Sequence, residues 1–222
     1  MNIHLAFARL APPGADAAPL PQRASLAARA LLARLLAVTH GMAVLPEIVR
    51  EAGGRPRFRD AALPAFSLSH SRDRIGVALG GTTPIGLDIE LPRPRTHLAD
   101  MADALYSAPE RDWMASGPAL ERFYLLWCIR EAALKAGGHG LAELSRVEVD
   151  PAAATLRYPR TPHGQVLAGL HDGCSWALHA PWPARLHWRD GQAAPIGSPP
   201  AVRLRLDCLP AGSGVGQLAA DQ

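Results

Sequence analysis

The chain has 222 residues, 48% of them apolar, with 23 basic and 20 acidic side chains and a formal net charge of +3. That supplies a sizeable core in one large domain or two small ones, and the small charge, without interleaved aromatic and basic residues, argues against a nucleic-acid partner. No stretch approaches the ~20 apolar residues of a membrane span, and Cys128, Cys174 and Cys208 match neither zinc spacing nor a disulfide framework, so a soluble protein of the reducing cytoplasm, with no membrane partner, is expected.

Ile3, Leu5 and Phe7 alternate with polar or small residues, the period of a half-buried strand. The apolar stretch from Ala6 to Leu20 lacks a charged leader and is interrupted by Pro12-Pro13-Gly14, which is unlike a signal core. Residues 22–38 read as a helix with Leu26, Ala30, Leu31 and Leu35 on one side and Arg23, Arg29 and Arg34 around it. The arginines suit a solvated face, or, for Arg23 near the helix start, a phosphate contact. All basic residues except Lys135 are arginine, which fits forked phosphate contacts and equally fits an Arg-, Ala- and Pro-rich genome.

A short strand is expected over 47–51, then a turn at Gly53-Gly54-Arg55-Pro56 that projects a cation. Residues 65–71 alternate as a strand ending in Ser69, His70 and Ser71, and 74–79 alternate again. His70 reads as a surface histidine or as a donor to an anion. In Pro84-Ile85-Gly86-Leu87-Asp88-Ile89-Glu90 the two carboxylates lie two residues apart, so they share one strand face roughly 6.6 Å apart while Leu87 and Ile89 pack on the other. Such like charges repel unless a cation sits between them, or unless the face is simply the exposed side of an edge strand.

Beyond Pro92 and Pro94, residues 98–105 are helical in character, and Ser107-Ala108-Pro109-Glu110 is a capping box opening a short helix to about Ser116. Gly117-Pro118 launches a longer helix that Gly137-Gly138 stops. In it Trp127, Glu131 and Lys135 form a row at i, i+4 and i+8, each roughly 6 Å above the last. Glu131 shares a face with Trp127, on the side expected to point inward, so its carboxylate needs a cation, a metal or a proton. Strands are expected over 146–149, 155–158, 174–179 and 185–188, and Val202, Leu204, Leu206 and Cys208 leave room for one late strand in a Pro/Gly-rich tail. The order suggests an α+β protein of two αβ halves, residues 1–95 and 96–190, with 191–222 as the tail. A site between the halves would take Asp88 and Glu90 from the first and Glu131 and Lys135 from the second.

Five motifs in order resemble the 4′-phosphopantetheinyl transferases of the two-halved, surfactin-synthase-activating (Sfp) type: Gly54-Arg55-Pro56, Ser67 to Ser71, Pro84 to Glu90, Tyr106-Ser107 with Glu110, and Trp127-Cys128-Ile129-Arg130-Glu131-Ala132-Ala133-Leu134-Lys135. The family's first basic place in the last motif is filled by Arg130, and the basic cluster some members carry ahead of the first helix is Ala/Pro here. The resemblance implies a pseudo-twofold duplicated fold of small, mainly antiparallel sheets packed with helices. It implies a Mg²⁺-dependent transfer of phosphopantetheine from coenzyme A to a serine of an acyl or peptidyl carrier protein, releasing adenosine 3′,5′-bisphosphate, in fatty-acid, polyketide or nonribosomal peptide synthesis. By that resemblance Asp88, Glu90 and Glu131 hold the metal, Glu131 and Lys135 are catalytic, and Arg23, Arg55, Ser69 and His70 contact coenzyme A. A monomer is expected, since two halves supply both sides of the site. The alternatives are a non-catalytic CoA- or carrier-binding module of the same fold and an unrelated Mg²⁺-dependent nucleotide enzyme; the absence of a Gly-rich phosphate loop speaks against the latter.

Overall fold

A computed structural model describes residues 1–13, 18–160 and 162–209. Its plan is a strand–helix–hairpin unit that occurs twice. The first unit runs from β1 (Asn2–Arg9) through α1 (Leu20–His40), past a small hairpin of β2 (Ile48–Arg50) and β3 (Pro56–Phe58), to the hairpin β4 (Phe66–Ser71) and β5 (Arg74–Leu79). The second begins at β6 (Gly86–Glu90), passes α2 (Leu98–Leu105) and α3 (Ala108–Ala115), and continues with α4 (Ala119–Gly137). A 3₁₀ turn at Leu141–Arg146 and the short β7 (Glu148–Asp150) and β8 (Thr155–Arg157) lead to its hairpin, β9 (Gln165–His171) and β10 (Cys174–Ala180). In both units the leading strand is antiparallel to the second strand of the hairpin, β1 on β5 and β6 on β10. The helix covers the sheet, α1 lying on β5, β4 and β1, and α4 on β10, β6 and β9. Two late strands extend the sheets: β11 (Arg185–Arg189) runs parallel to β1, and β12 (Val202–Leu209) inserts between β9 and β8.

The sheets, ordered β11-β1-β5-β4 and β6-β10-β9-β12-β8-β7, share an apolar layer of Ile3, Leu5, Leu87, Ile89, Trp176 and Leu178. The alternation of side chains across each strand sends the intervening residues outward to the helices. Hence Leu87 and Ile89 bury between the sheets, and Asp88 is turned toward α4.

The α+β architecture with duplicated sheet-and-helix units is the expected one, and the late strand is β12. Both long helices differ from the sequence expectation. The buried stripe of α1 is Ala24, Ala28, Leu31, Leu32, Leu35 and Leu36, while Leu26 is 60% exposed; the two alanines let the helix approach the sheet, which rotates the expected face. Helix α4 is covered on every side rather than one. From Phe123 to Ala136 only Trp127, Glu131 and Lys135 escape full burial, because β6, β9 and β10 lie on one flank and α3 on another. Within that span the row expected to point inward is the helix's opening, and Lys135 at its end borders a cavity with Arg55 and Ser67.

Candidate active site

Close approach of β6 to α4 builds the site. A Cβ on Gly86 would stand 1.9 Å from the Ala132 carbonyl oxygen and 2.7 Å from the Ala136 nitrogen, so only glycine lets the helix backbone lie against the strand. One turn of helix is then within reach of Asp88. Lys135 Nζ donates to Asp88 Oδ1 at 2.6 Å and lies 3.4 Å from Glu131 Oε2. Trp127 Nε1 donates to Glu131 Oε1 at 2.7 Å, fixing that carboxylate from its other end.

Asp88, Glu90 and Glu131 each bring one carboxylate oxygen within 4.8 Å of the others. Three carboxylates gathered this closely are of the kind that would hold one divalent cation, with Asp88, Glu90 and Glu131 each offering an oxygen. A second observation fits a cation: Asp88 Oδ2 is buried without a hydrogen-bond partner, an uncompensated state that a positive ion would relieve. Three acidic oxygens and no sulfur or imidazole make a donor set for a hard cation. The cluster is therefore capable of coordinating a metal ion.

The electrostatics record the crowding. Burial, reinforced by the Asp88 charge, pushes Glu131 up to about 7. Burial raises Asp88 against the opposing pull of Lys135; it raises Glu90 too, with the Ser71 hydrogen bond opposing and Glu131 adding to the rise. Lys135 is drawn down by burial, but the Asp88 and Glu131 carboxylates outweigh this and hold it as a cation. A carboxyl group titrating near neutrality beside a fixed ammonium is equipped for proton transfer.

The other expected site residues surround this centre. Ser69, on β4, is buried; its hydroxyl donates to Asp88 Oδ1 at 2.8 Å and accepts from Ile89 N and Lys135 Nζ. His70, the next residue, is exposed. Arg55 reaches the C-terminus of α4, donating to the Ala136 carbonyl at 2.7 Å and pairing with Glu51 at 2.7 Å; a cation there complements the helix dipole. Gly53 permits the approach, since its Cβ would stand 2.0 Å from the Gly138 oxygen. A cavity of about 260 Å³ opens between Arg55, Phe66, Ser67, Lys135 and His139, and one of about 340 Å³ lies between Arg55, Arg57, Phe58, Phe66 and Ile85. Arg23 is at the other end of β4: it donates to the Ala11 carbonyl at 2.6 Å and lines an open cleft with Arg9 and Asp73. The structure thus brings Ser69, Asp88, Glu90, Glu131 and Lys135 together, sets Arg55 at one end of β4, and leaves Arg23 at the opposite end.

The family model described as the 4′-phosphopantetheinyl transferase superfamily matches residues 84–181, which is the second strand–helix–hairpin unit. The 4′-phosphopantetheinyl transferase AcpT of Salmonella typhimurium is 37% identical over 143 residues, 61% of this chain and 71% of that protein. The chain belongs to this superfamily. Other relatives are YieE of Escherichia coli strain K12, 32% identical over 72% of this chain and 66% of YieE, and a Haemophilus influenzae protein, 35% identical over 63% of this chain and 61% of that protein. The match thus spans less than two thirds of these last two relatives.

Reading the sequence alone missed two parts of this superfamily member's site. Ser71 donates to Glu90 Oε2 at 2.6 Å, a role whose only sequence signal is the two-residue spacing of Ser67, Ser69 and Ser71. Arg130 and Glu110, known from sequence as a motif residue and a capping residue, form a buried ion pair at 2.6 Å, each 1% exposed. Glu110 also accepts from Ser107 N and Val149 N, and Arg130 lies over the Tyr106 ring. This pair stands behind Glu131 and fixes α4 to α3 and β7.

Proposed function

We propose that the protein transfers 4′-phosphopantetheine from coenzyme A to a serine of an acyl or peptidyl carrier protein, releasing adenosine 3′,5′-bisphosphate, with Mg²⁺ held by Asp88, Glu90 and Glu131. The observation that carries this reading is the convergence of those three carboxylates, one of which, Asp88, has a buried oxygen without a hydrogen-bond partner, in a chain of this superfamily. Mg²⁺ in this place would neutralise charge on the diphosphate of coenzyme A. Glu131 takes the proton of the carrier serine hydroxyl. The serine Oγ forms its bond to the phosphorus that bears pantetheine as the bond to the bridging oxygen breaks. Lys135 offsets charge on the departing phosphate, a donor role of a kind worth ~3 kcal/mol of barrier.

Coenzyme A contacts are assigned to Arg55, which borders both cavities, and to the exposed His70 imidazole; Ser69, whose hydroxyl already engages Asp88, Ile89 N and Lys135, and Arg23, at the far end of β4, are assigned on the resemblance alone. A monomer in the cytoplasm fits the arrangement, since one chain supplies all three carboxylates and, among the described residues, no helix is long and apolar enough to cross a membrane. A non-catalytic binding module is the less favoured reading, because such a module has no use for a carboxyl group poised near neutrality beside Lys135.

The test is intact mass. Apo carrier protein incubated with coenzyme A, Mg²⁺ and this protein should gain one phosphopantetheine. Asp88→Ala and Glu131→Ala should abolish the gain with the fold retained by circular dichroism. Undiminished transfer in excess chelator, or by both variants, would remove the metal and these residues from the reaction.

A further inference from the structure

Where the first unit meets the second, β6 is an edge strand: it pairs with β10 on one side only. The N–H groups of Leu87, Ile89 and Leu91 point the other way and would be orphaned at a buried junction. Each is taken by a serine hydroxyl from β4: Leu87 N donates to Ser67 Oγ at 2.9 Å, Ile89 N to Ser69 Oγ at 3.2 Å, and Leu91 N to Ser71 Oγ at 3.1 Å. The two-residue period of one strand is matched to that of the other, so three hydroxyls replace the backbone carbonyls of a missing neighbour strand.

A hydroxyl that accepts from a fixed N–H has one proton left, and its direction is restricted. Ser69 sends that proton to Asp88 Oδ1 at 2.8 Å, and Ser71 sends its proton to Glu90 Oε2 at 2.6 Å. Ser67, opposite Gly86, has no carboxylate within its reach in the same pattern. Each of the two serines therefore spans from a β6 amide to the neighbouring acidic side chain and sets its rotamer. We propose that Ser69 and Ser71 are positioning residues, which hold the Asp88 and Glu90 carboxylates at metal-binding spacing by clamping them to the β6 backbone, with Ser71 acting on Glu90 alone. This inference rests on the metal reading above. It adds that the first unit contributes to the metal centre by orienting ligands that all come from the second.

The experiment uses Mn²⁺ as the probe ion, titrated into the 222-residue chain and followed by electron paramagnetic resonance of the free ion, with thermal unfolding measured alongside. Ser71→Ala should weaken Mn²⁺ binding about 10-fold, the lower end of what loss of an outer partner to a metal ligand costs, and Ser71→Thr, which keeps the hydroxyl, should restore it. In a Glu90→Gln background the further change Ser71→Ala should have little effect on affinity, since its target charge is gone. Ser67→Ala is the control: it removes a hydrogen bond to β6 and lowers thermal stability, but leaves Mn²⁺ affinity within 2-fold. The inference is overturned if Ser71→Ala binds as wild type does, if its loss persists undiminished with Glu90→Gln, or if Ser67→Ala weakens binding equally. Wild-type protein that binds no Mn²⁺ defeats the metal reading itself, and the inference with it; binding by wild type and Ser71→Ala alike defeats the inference alone.

Discussion

Helices α1 and α4 occupy equivalent places in the two units, yet they bury their residues in opposite ways. Helix α1 packs one stripe on its sheet and leaves Arg29 and Arg34 exposed. Helix α4, enclosed between sheet and helices, buries Arg130 nearly as deeply as Leu126, and from Phe123 to Ala136 it opens to the outside only along Trp127, Glu131 and Lys135. On an amphipathic helix a polar residue needs no explanation. On an enclosed helix every polar residue must have a partner, because a buried unpaired charge costs several kcal/mol; the partners of α4 are the site and its supports.

The contrast is broken most directly at Arg130. Arg130→Met leaves the Glu110 carboxylate buried without its counterion, and removal of one member of such a pair costs about 3–5 kcal/mol. At about 2–4 °C per kcal/mol for a chain of this size, differential scanning calorimetry should show Tm lowered by roughly 6–20 °C. Adding Glu110→Gln, which removes the charge but keeps a carbonyl oxygen for Ser107 N or Val149 N, should recover a large part of that loss. A Tm within a degree or two of wild type for Arg130→Met would mean the pair does not brace α4.

The same contrast explains what could be read from sequence. The ends of α4, the capping box at Ser107 and the alternating strands β4, β5 and β6 depend on local signals, and they fall within a residue or two of where the structure has them. Strand β9 was not expected. It lies between β10 and β12 with both faces covered, so Val166 to Leu170 shows an unbroken apolar run instead of alternation. The metal-capable trio was legible because Asp88 and Glu90 share a strand face and Glu131 sits in a motif. The pairing of Arg130 with Glu110 and of Ser71 with Glu90 was not, since each joins residues about 20 apart through the packing of separate elements.

A smaller effect should appear in the pH dependence of stability. Glu131 titrates at about 7 in the folded protein against an ordinary 4.5, so the folded state holds a proton that the unfolded chain has released between those values. Stability from this group is therefore full below pH 4.5 and lost as pH rises through 7. Asp88 and Glu90 are raised as well and act in the same direction. His4 and His179, lowered to about 4 by burial, give an opposing slope that ends near pH 6.5, so the informative quantity is the difference between wild type and Glu131→Gln. Between pH 5 and pH 8 the variant should gain several degrees of Tm relative to wild type in chelator, and Mg²⁺ should stabilise wild type more at pH 8 than at pH 5. Parallel pH profiles for the two proteins would show that Glu131 carries no raised titration.

The smallest effect is expected on α1, and there the equivalence of the two helices is most sharply tested. Arg29 is exposed on the solvent side of α1, where its guanidinium gives up almost no hydration on folding and alanine has the better helix propensity. Arg29→Ala should change stability by no more than about 0.5 kcal/mol in either direction, a Tm shift of about 1–2 °C. Arginines in the interior of each helix, Arg29 on α1 and Arg130 on α4, would then differ several-fold in what their removal costs, with the same side chain and the same secondary structure. That difference has one source: α1 has a sheet on one side and water on the other, whereas α3 closes over α4 and leaves Glu110 as the one carboxylate paired with the buried Arg130.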